Sequence, residues 1–479
     1  MIVRGVNQTY AKTQPRTDAS RREVTTVPVF GCIGGQRRRP TQTPLTLPVS
    51  QFVDGRLSRS GLTAAALRHP IAVCASLSAV IRLGLLLFVH PLPTWDGAIY
   101  SLLAERLAAG SGLVHWATAD RPTAFYPVGY PALVGALLRV GLTPAWAAPL
   151  INVIAATASA ALISWAAKTL AGQRAALFCG VVYALLPGSI LWSIAPMTET
   201  VTGTLTLMLL CLTLKHQHAP QPSRSRTQSA IWATKYGLVC AIASMVRPQS
   251  LLLAPLGAVC RRPRSATNVW LTLAVLCTIM SALWLLPWTA RNCVRLDHCA
   301  LVSTNGGSNL YIGTLTHPNG GFVSLESQPD CVAIQGEVAR ERCYTQTALR
   351  RIAANPVGWL AKFPRKIART FAIEWAPASY LQSATHSQNR GLWLAVGVLC
   401  TALWWALVVG AVAGARALLR VRPASDELAA TAVRFTAGAT ALIALTHGIF
   451  ISDDRYHFPL IQLLCVLLAG LARAEGVRS

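Results

Sequence analysis

Of the chain's 479 residues, 53% are hydrophobic and 13% are charged, and the mean hydropathy is +0.44. A soluble chain carries about a quarter charged residues, so this balance excludes a string of ordinary soluble domains and points to an all-α polytopic membrane protein with about ten transmembrane helices. The net charge of +25 comes from 43 Lys and Arg against 18 Asp and Glu. These charges fall between apolar windows rather than along one face, which excludes nucleic acid as a partner and fits basic loops facing the cytoplasm.

Residues 1–68 are basic, polar and rich in Pro, Ser and Thr, most densely at Gln36-Arg37-Arg38-Arg39-Pro40. Without an apolar core this stretch does not read as a signal peptide. The expectation is a disordered cytoplasmic extension, or translation drawn from too early a start. A first span is predicted from about His69 to His90, with Arg82 inside it and therefore turned toward the protein interior or the interface. The polar stretch Pro91–Thr143 follows. Within it, Gly97–Ala109 places Ile99, Leu102, Leu103 and Leu107 on one helical face, and Tyr130–Leu138 is a second amphipathic piece. Both are too short to span and are expected in the interface plane.

Further spans are predicted near Pro144–Ala167, Ala175–Leu191, Thr200–Leu214, Ala230–Val246, Ser250–Cys260, Asn268–Pro287, Gly391–Gly414, Leu428–Phe450 and Pro459–Ala472. This divides residues 69–287, an N-terminal transmembrane module, from a C-terminal set at 391–479. Between them Trp288–Arg390 is too polar to span. It opens on the Gly/Asn-rich run Ser303–Asn309, continues as a helical pattern from Val338 to Ala354, breaks at Asn355-Pro356 and ends in a basic amphipathic piece, Trp359–Phe371, expected on the membrane surface.

Lys168, Arg174, Lys215 to Arg226, Arg261-Arg262-Arg264 and Arg416 to Arg422 fall on one side, which is read as cytoplasmic. The outer side then receives Pro91–Thr143, the loop at Pro196, Arg247-Pro248, Trp288–Arg390 and Ser452–His457. Four of the 13 cysteines, Cys293, Cys299, Cys331 and Cys343, lie in the long outer stretch. An oxidising exterior permits disulfides there. Sequence leaves all pairings open, and neighbour pairing, Cys293–Cys299 and Cys331–Cys343, is the expectation adopted. Cys-x5-Cys is not a usual zinc spacing.

Asp96 follows the first span and so stands at the boundary between lipid and water. There it could serve as a base toward an acceptor from the aqueous side, or simply cap the helix that follows. Glu199 begins a span after Pro196, as a second acidic candidate or as a helix-start charge. Arg291, Arg247, Arg455 and Arg121 could gather around a phosphate or anchor to lipid headgroups. Asn305, Gly306 and Asn309 could offer backbone amides to a phosphate or sugar, or simply form a turn. For Asp453 and Asp454 the simplest role is a local ion pair with Arg455. No Walker loop, dinucleotide fingerprint or His-Glu-x-x-His helix is present, which disfavours a nucleotide-driven pump or a zinc protease, and no metal site is expected.

The segment Asp96…Tyr100…Glu105…Gly110, followed by Tyr126-Pro127-Val128-Gly129-Tyr130-Pro131, resembles the first outer loop of GT-C membrane glycosyltransferases. The branch it is most similar to includes protein O-mannosyltransferases, lipid A aminoarabinose transferases and rhizobial lipopolysaccharide sugar transferases. Met197-Thr198-Glu199, Pro287–Asn292 leading into Asn305-Gly306-Gly307 and Asn309-Leu310, and Arg455-Tyr456-His457-Phe458-Pro459 resemble later elements of that family in the same order. The resemblance implies an inverting transferase of a bacterial inner membrane, with its site facing outward. The donor would be a polyprenyl-phosphate sugar with no further cofactor, and the acceptor an envelope glycan, lipid or protein. It implies Asp96 as base with Glu199 assisting, the four arginines on the phosphate, and Tyr100 and Tyr126 in the substrate loop. Phe125-Tyr126-Pro127 replaces the Lys-Pro-Pro of the aminoarabinose transferases, and the chain ends soon after Ala472, which sets it apart from that group. The alternative class is a transporter or flippase of lipid-linked sugars, with Arg82 lining a path; against it stands the absence of an internal repeat.

Overall fold

The computed structural model describes residues 66–118, 120–218, 225–260, 267–315, 321–420 and 427–476. Residues 1–65 of the expected extension, Arg261-Arg262-Arg264, Arg422 and positions 219–224 of the Lys215–Arg226 loop lie outside the described residues.

The described chain is helical, with a lone antiparallel bridge between Val114 and Pro122. Helix α1 (Pro70–Phe88) is followed by α2 (Asp96–Ala108) and α3 (Gly129–Arg139). Then come α4 (Pro144–Leu185), α5 (Pro187–Ser193), α6 (Glu199–His218) and α7 (Arg226–Val246). Seven described helices are long and apolar enough to cross a membrane, so the count of about ten is not reached by this measure, for three local reasons. The 42-residue α4 holds two of the expected spans and folds back at Gly172, whose φ of 86° suits glycine alone. The reversal brings Ser164 against Gly180. Helix α6 is threonine-rich with a polar tail. Beyond α7, the short span expected at Ser250–Cys260 is broken into a 3-10 turn, Pro248–Leu253, and a single helical turn, α8 (Leu256–Val259).

Helix α9 (Thr267–Leu296) leads into the outer region. There α10 (Gly306–Thr314) packs on α11 (Glu337–Ala354) through Tyr311 and Tyr344, whose rings lie 5.0 Å apart. Cys331 joins Cys343 beside this contact, and Cys293 joins Cys299 at the end of α9. The piece expected to lie on the membrane surface is two short helices, α12 (Pro356–Leu360) and α13 (Phe363–Phe371). The second buries Lys366 and Thr370 against the protein and leaves Pro364, Arg365, Ile367 and Ala368 exposed. Helices α14 (Ala376–Ala384), α15 (Arg390–Arg420), α16 (Glu427–Ile449), α17 (Phe458–Leu467) and α18 (Ala469–Gly476) complete the chain.

Arg82 is fully buried. Its guanidinium donates to Ser78 Oγ at 2.9 Å, Ser189 Oγ at 3.0 Å and Ala184 O at 3.2 Å. It thereby ties α1 to the break between α4 and α5, where helix-end carbonyls need donors. A guanidinium held this way does not line an open path. At the basic end of the bundle Arg434 Nε donates to Cys260 O at 2.8 Å, and Gln217 Nε2 reaches Glu427 at 3.4 Å. The opposite end gathers the starts of α2, α6 and α17 and the end of α7.

Candidate active site

Four charged side chains from four distant segments meet at that end. Asp96 is the first residue of α2, and Trp95 before it holds a φ of 53°. This left-handed conformation is costly for a bulky residue. It is held by Tyr380, which packs edge-on against the Trp95 ring at 5.2 Å and accepts from Thr94 N at 3.2 Å. Burial pushes the Tyr380 phenol up to about 12, so it stays neutral in this role.

Each oxygen of Asp96 is engaged. Arg455 Nη2 pairs with Oδ2 at 2.8 Å, and Tyr126 Oη donates to Oδ1 at 3.1 Å. Tyr126 is braced by Tyr100, with ring centroids 5.4 Å apart. Burial first, then the Asp96 carboxylate, raises both phenols above their ordinary value.

Glu199 begins α6 and is fully buried. Arg247 Nη2 bonds its Oε1, Arg455 Nε lies 3.9 Å from the same oxygen, and Oε2 has no partner. The loop before Glu199 is held by Asn152, whose Nδ2 donates to Ala195 O and to Met197 O, the latter at 3.0 Å. Arg247, just past the end of α7, also donates from Nε to Thr198 Oγ1 at 2.9 Å. The Arg247 and Arg455 guanidiniums lie 5.3 and 5.2 Å from the centroid of the Tyr456 ring. His447 stacks on that ring at 4.0 Å. Two guanidiniums are thus fixed over one tyrosine, and each is paired with a carboxylate.

A narrow cleft lies beside this cluster, between α6, the 248–253 turn, α16 and the start of α17. Arg247, His447 and Tyr456 form its head, and Leu253, Leu442, Ile443 and Ala439 line its depth. From His447 to Ala439 it follows α16 for about 12 Å at 1.5 Å per residue.

The other candidates lie apart from this cluster. Arg291 is spent on backbone: Nη1 donates to Thr123 O and Nη2 to Leu113 O, each at 2.9 Å, with its guanidinium over the Trp288 ring. It buckles the first outer loop to the end of α9. Arg121 is exposed on that loop. Asn305 stands at the N-cap position of α10, with its side chain turned to Ser303 Oγ, Gly306 begins the helix in open space, and Asn309 continues it. This turn docks on two glutamates of α11 that the motif reading passed over. Glu337 accepts from Ala124 N at 3.0 Å, from Thr304 Oγ1 at 2.7 Å and from Thr123 Oγ1, clasping both outer loops. Glu341 accepts from Ser308 N at 2.8 Å.

The anticipated local ion pair at 453–455 is not what forms. Arg455 reaches across to Asp96, Asp453 Oδ2 faces Arg369 at 3.5 Å, and Asp454 Oδ2 accepts the amides of Trp375 and Ala376, each at 2.6 Å. Asp454 therefore caps α14, because the unpaired amides of a helix start favour a carboxylate.

The described residues form a helical bundle with charged loops assembled at one end and seven helices apolar enough to cross a membrane, and the fold is similar to that of solved GT-C structures. The chain is similar to the oligosaccharyltransferase of Archaeoglobus fulgidus in the apo form, with a TM-score of 0.50 at 14% identity over 86% of this chain and 52% of that one. AglB from the same archaeon, in complex with an inhibitory peptide and a dolichol-phosphate, aligns with a TM-score of 0.47 at 12% identity, over 88% and 52% of the two chains. ArnT from Cupriavidus metallidurans bound to undecaprenyl phosphate aligns with a TM-score of 0.36 at 15% identity, over 87% and 79%. The chain spans about half the length of the oligosaccharyltransferases it matches. No family model and no curated protein matches it. At such identities the likeness is one of fold.

Proposed function

We propose that the protein is a glycosyltransferase of a bacterial inner membrane. It takes a sugar from a polyprenyl-phosphate carrier and transfers it, with inversion, to an acceptor outside the cytoplasm. The acceptor class is an envelope glycan, lipid or protein. The observation that carries this reading is the meeting of Asp96 and Glu199 with Arg247 and Arg455 at one end of an apolar bundle.

The donor needs three things, and each has a counterpart. Its phosphate needs fixed cations, because a phosphodiester leaves as an anion and gains from charge-assisted hydrogen bonds; Arg247 and Arg455 supply them. Its prenyl chain needs an apolar path beside those cations, and the narrow cleft at Arg247, flanked by Leu253, Leu442 and Ile443, is where that path would begin. The acceptor hydroxyl needs a base on the aqueous side, and the Asp96 side chain keeps 30% exposure while Glu199 has none.

In the transfer, Asp96 takes the hydroxyl proton as the acceptor oxygen attacks the anomeric carbon. The bond from that carbon to the phosphate oxygen breaks, and the lipid phosphate leaves toward the arginines. The proton on Asp96 then passes to solvent. Arg455 pairs with Asp96 Oδ2, so the phosphate must draw Arg455 toward itself before Asp96 is free to act. Glu199 keeps Arg247 in place from beneath and sits too deep to meet a water-borne acceptor.

General-base catalysis contributes about 10²- to 10⁴-fold, so Asp96→Asn is expected to lower transfer by about that factor while the protein remains inserted. Mass spectrometry of a deletion strain should show an accumulated polyprenyl-phosphate sugar and a missing envelope glycan. Wild type should restore the glycan and Asp96→Asn should not. Full restoration by Asp96→Asn would remove Asp96 as the base.

A further inference from the structure

The segment that presents Arg455 is gripped from outside by α13 and the residues after it. Lys366 is 2% exposed. Its Nζ faces four carbonyl oxygens, Gly313 O at 2.7 Å, Phe450 O at 2.9 Å, Gly448 O at 3.1 Å and Ile449 O at 3.2 Å. Gly448 and Ile449 belong to the last turn of α16, whose carbonyls lack helix partners and attract a cation. One turn further along the same face of α13, Arg369 Nε donates to Ser452 O at 3.3 Å, and its Nη2 faces Asp453 Oδ2 at 3.5 Å. His457 Nδ1 meets Thr370 O at 2.7 Å. Backbone from 448 to 457 is therefore held on both sides of Arg455, although 450–453 has no regular secondary structure of its own.

A buried ammonium is costly unless its protons are taken, and here three of the four acceptors are backbone of the segment that must be placed, while the fourth, Gly313 O, ties that segment to α10. Arginine is long and rich in rotamers. Its fork meets a carboxylate or phosphate usefully only if its Cα is fixed. We propose that Lys366 and Arg369 are positioning residues for the transfer: from α13 they fix the 448–455 backbone and so aim the Arg455 guanidinium at Asp96 and at the departing phosphate. This rests on the reading of Arg455 as a phosphate ligand given above.

Lys366→Met and the milder Arg369→Gln test it, each in the full chain reconstituted in nanodiscs. Hydrogen–deuterium exchange should speed up in peptides covering 448–457 and stay unchanged in α1. With the polyprenyl-phosphate sugar that the deletion strain accumulates, kcat/KM for the donor should fall about 10- to 100-fold, as misplacing a reacting group does. KM for the acceptor should stay within about twofold. Because the effect passes through Arg455, Lys366→Met added to Arg455→Lys should cost little beyond Arg455→Lys alone. Unchanged exchange at 448–457, or additive losses in the double variant, would overturn the proposal. If the wild type transfers nothing from that donor, the transferase reading has failed, and the exchange experiment still decides the clamp on its own.

Discussion

Glu341 shows how a single buried acid can set the pH behaviour of the outer region. Burial raises its carboxyl from an ordinary 4.5 to about 7, against the opposing bonds from Ser308. Between those two values the folded chain holds more protons than the unfolded one. The stabilisation is therefore full below about pH 4.5, declines as pH rises through 7 and is gone above it. A shift of this size is worth on the order of 2 kcal/mol after discounting for residual solvent. Glu341→Gln keeps an acceptor for Ser308 N and removes the charge. Thermal melts in detergent should show the wild type losing stability from pH 5 to pH 8 and the variant staying level and more stable at pH 8. A parallel decline in both proteins would refute the assignment. Residues of this kind are hard to read in a sequence. Asp96, Glu199, Arg247 and Arg455 stood out because each is a charge at the edge of an apolar window, where burial is unexpected. Glu341, Glu337 and Lys366 sit in polar stretches where charge is ordinary, and their partners are backbone atoms and, for Glu337, two threonine hydroxyls, which no motif displays. Arg291 was conspicuous for the same reason as the other arginines, and only its bonds to Thr123 O and Leu113 O reveal that it is occupied with the loop.

Helices carry these residues to their places, and the start of α2 is the tightest junction among them. A Cβ built on Gly97 would stand 2.8 Å from Pro196 O and 2.9 Å from Tyr380 Oη. Neither can yield easily, since Pro196 O is backbone and Tyr380 is fully buried. Alanine there should push the first turn of α2 away from the loop leading to Glu199, at a cost of about 1–3 kcal/mol for overpacking. Gly97→Ala is therefore expected to lower transfer at least about tenfold while the thermal transition remains cooperative. Wild-type transfer would mean that α2 is not seated against that loop during turnover. The long apolar helices were legible because a spanning segment must be continuous and apolar. Even the turn at Gly172 was marked by Lys168 and Arg174. The segment after Arg247 read as a span because its composition is apolar, yet Pro248 and Pro255 deny it a regular helix. Helix α13 read as a surface piece because it is basic and amphipathic. Lys366 on its inner face finds helix-end carbonyls, and a pattern of residue types does not separate such a lysine from one that meets lipid headgroups.

At the scale of the whole molecule, the site exists only if the ends of α1, α5, α7, α9 and α16 share one face of the membrane. The bond from Arg455 to Asp96, near the two ends of the described chain, requires this. So do the bonds from Arg247 to Thr198 and Glu199. The described basic residues Lys168, Arg174, Lys215, Arg226, Arg416 and Arg420 lie at the other end of their helices, and Lys and Arg in short loops favour the cytoplasmic side. Two independent features, a contact network and a charge bias, thus divide the loops in the same way. Single cysteines placed at Thr118 and Gln328 should react with an impermeant maleimide in intact cells, and single cysteines at Gln173 and Glu427 only after the membrane is opened. The background must retain the Cys293–Cys299 and Cys331–Cys343 disulfides, since these hold the outer region. If position 118 and position 328 label from opposite sides, Glu337 cannot clasp Thr123 and Thr304 together, the four-residue cluster cannot assemble, and the transferase reading loses its site.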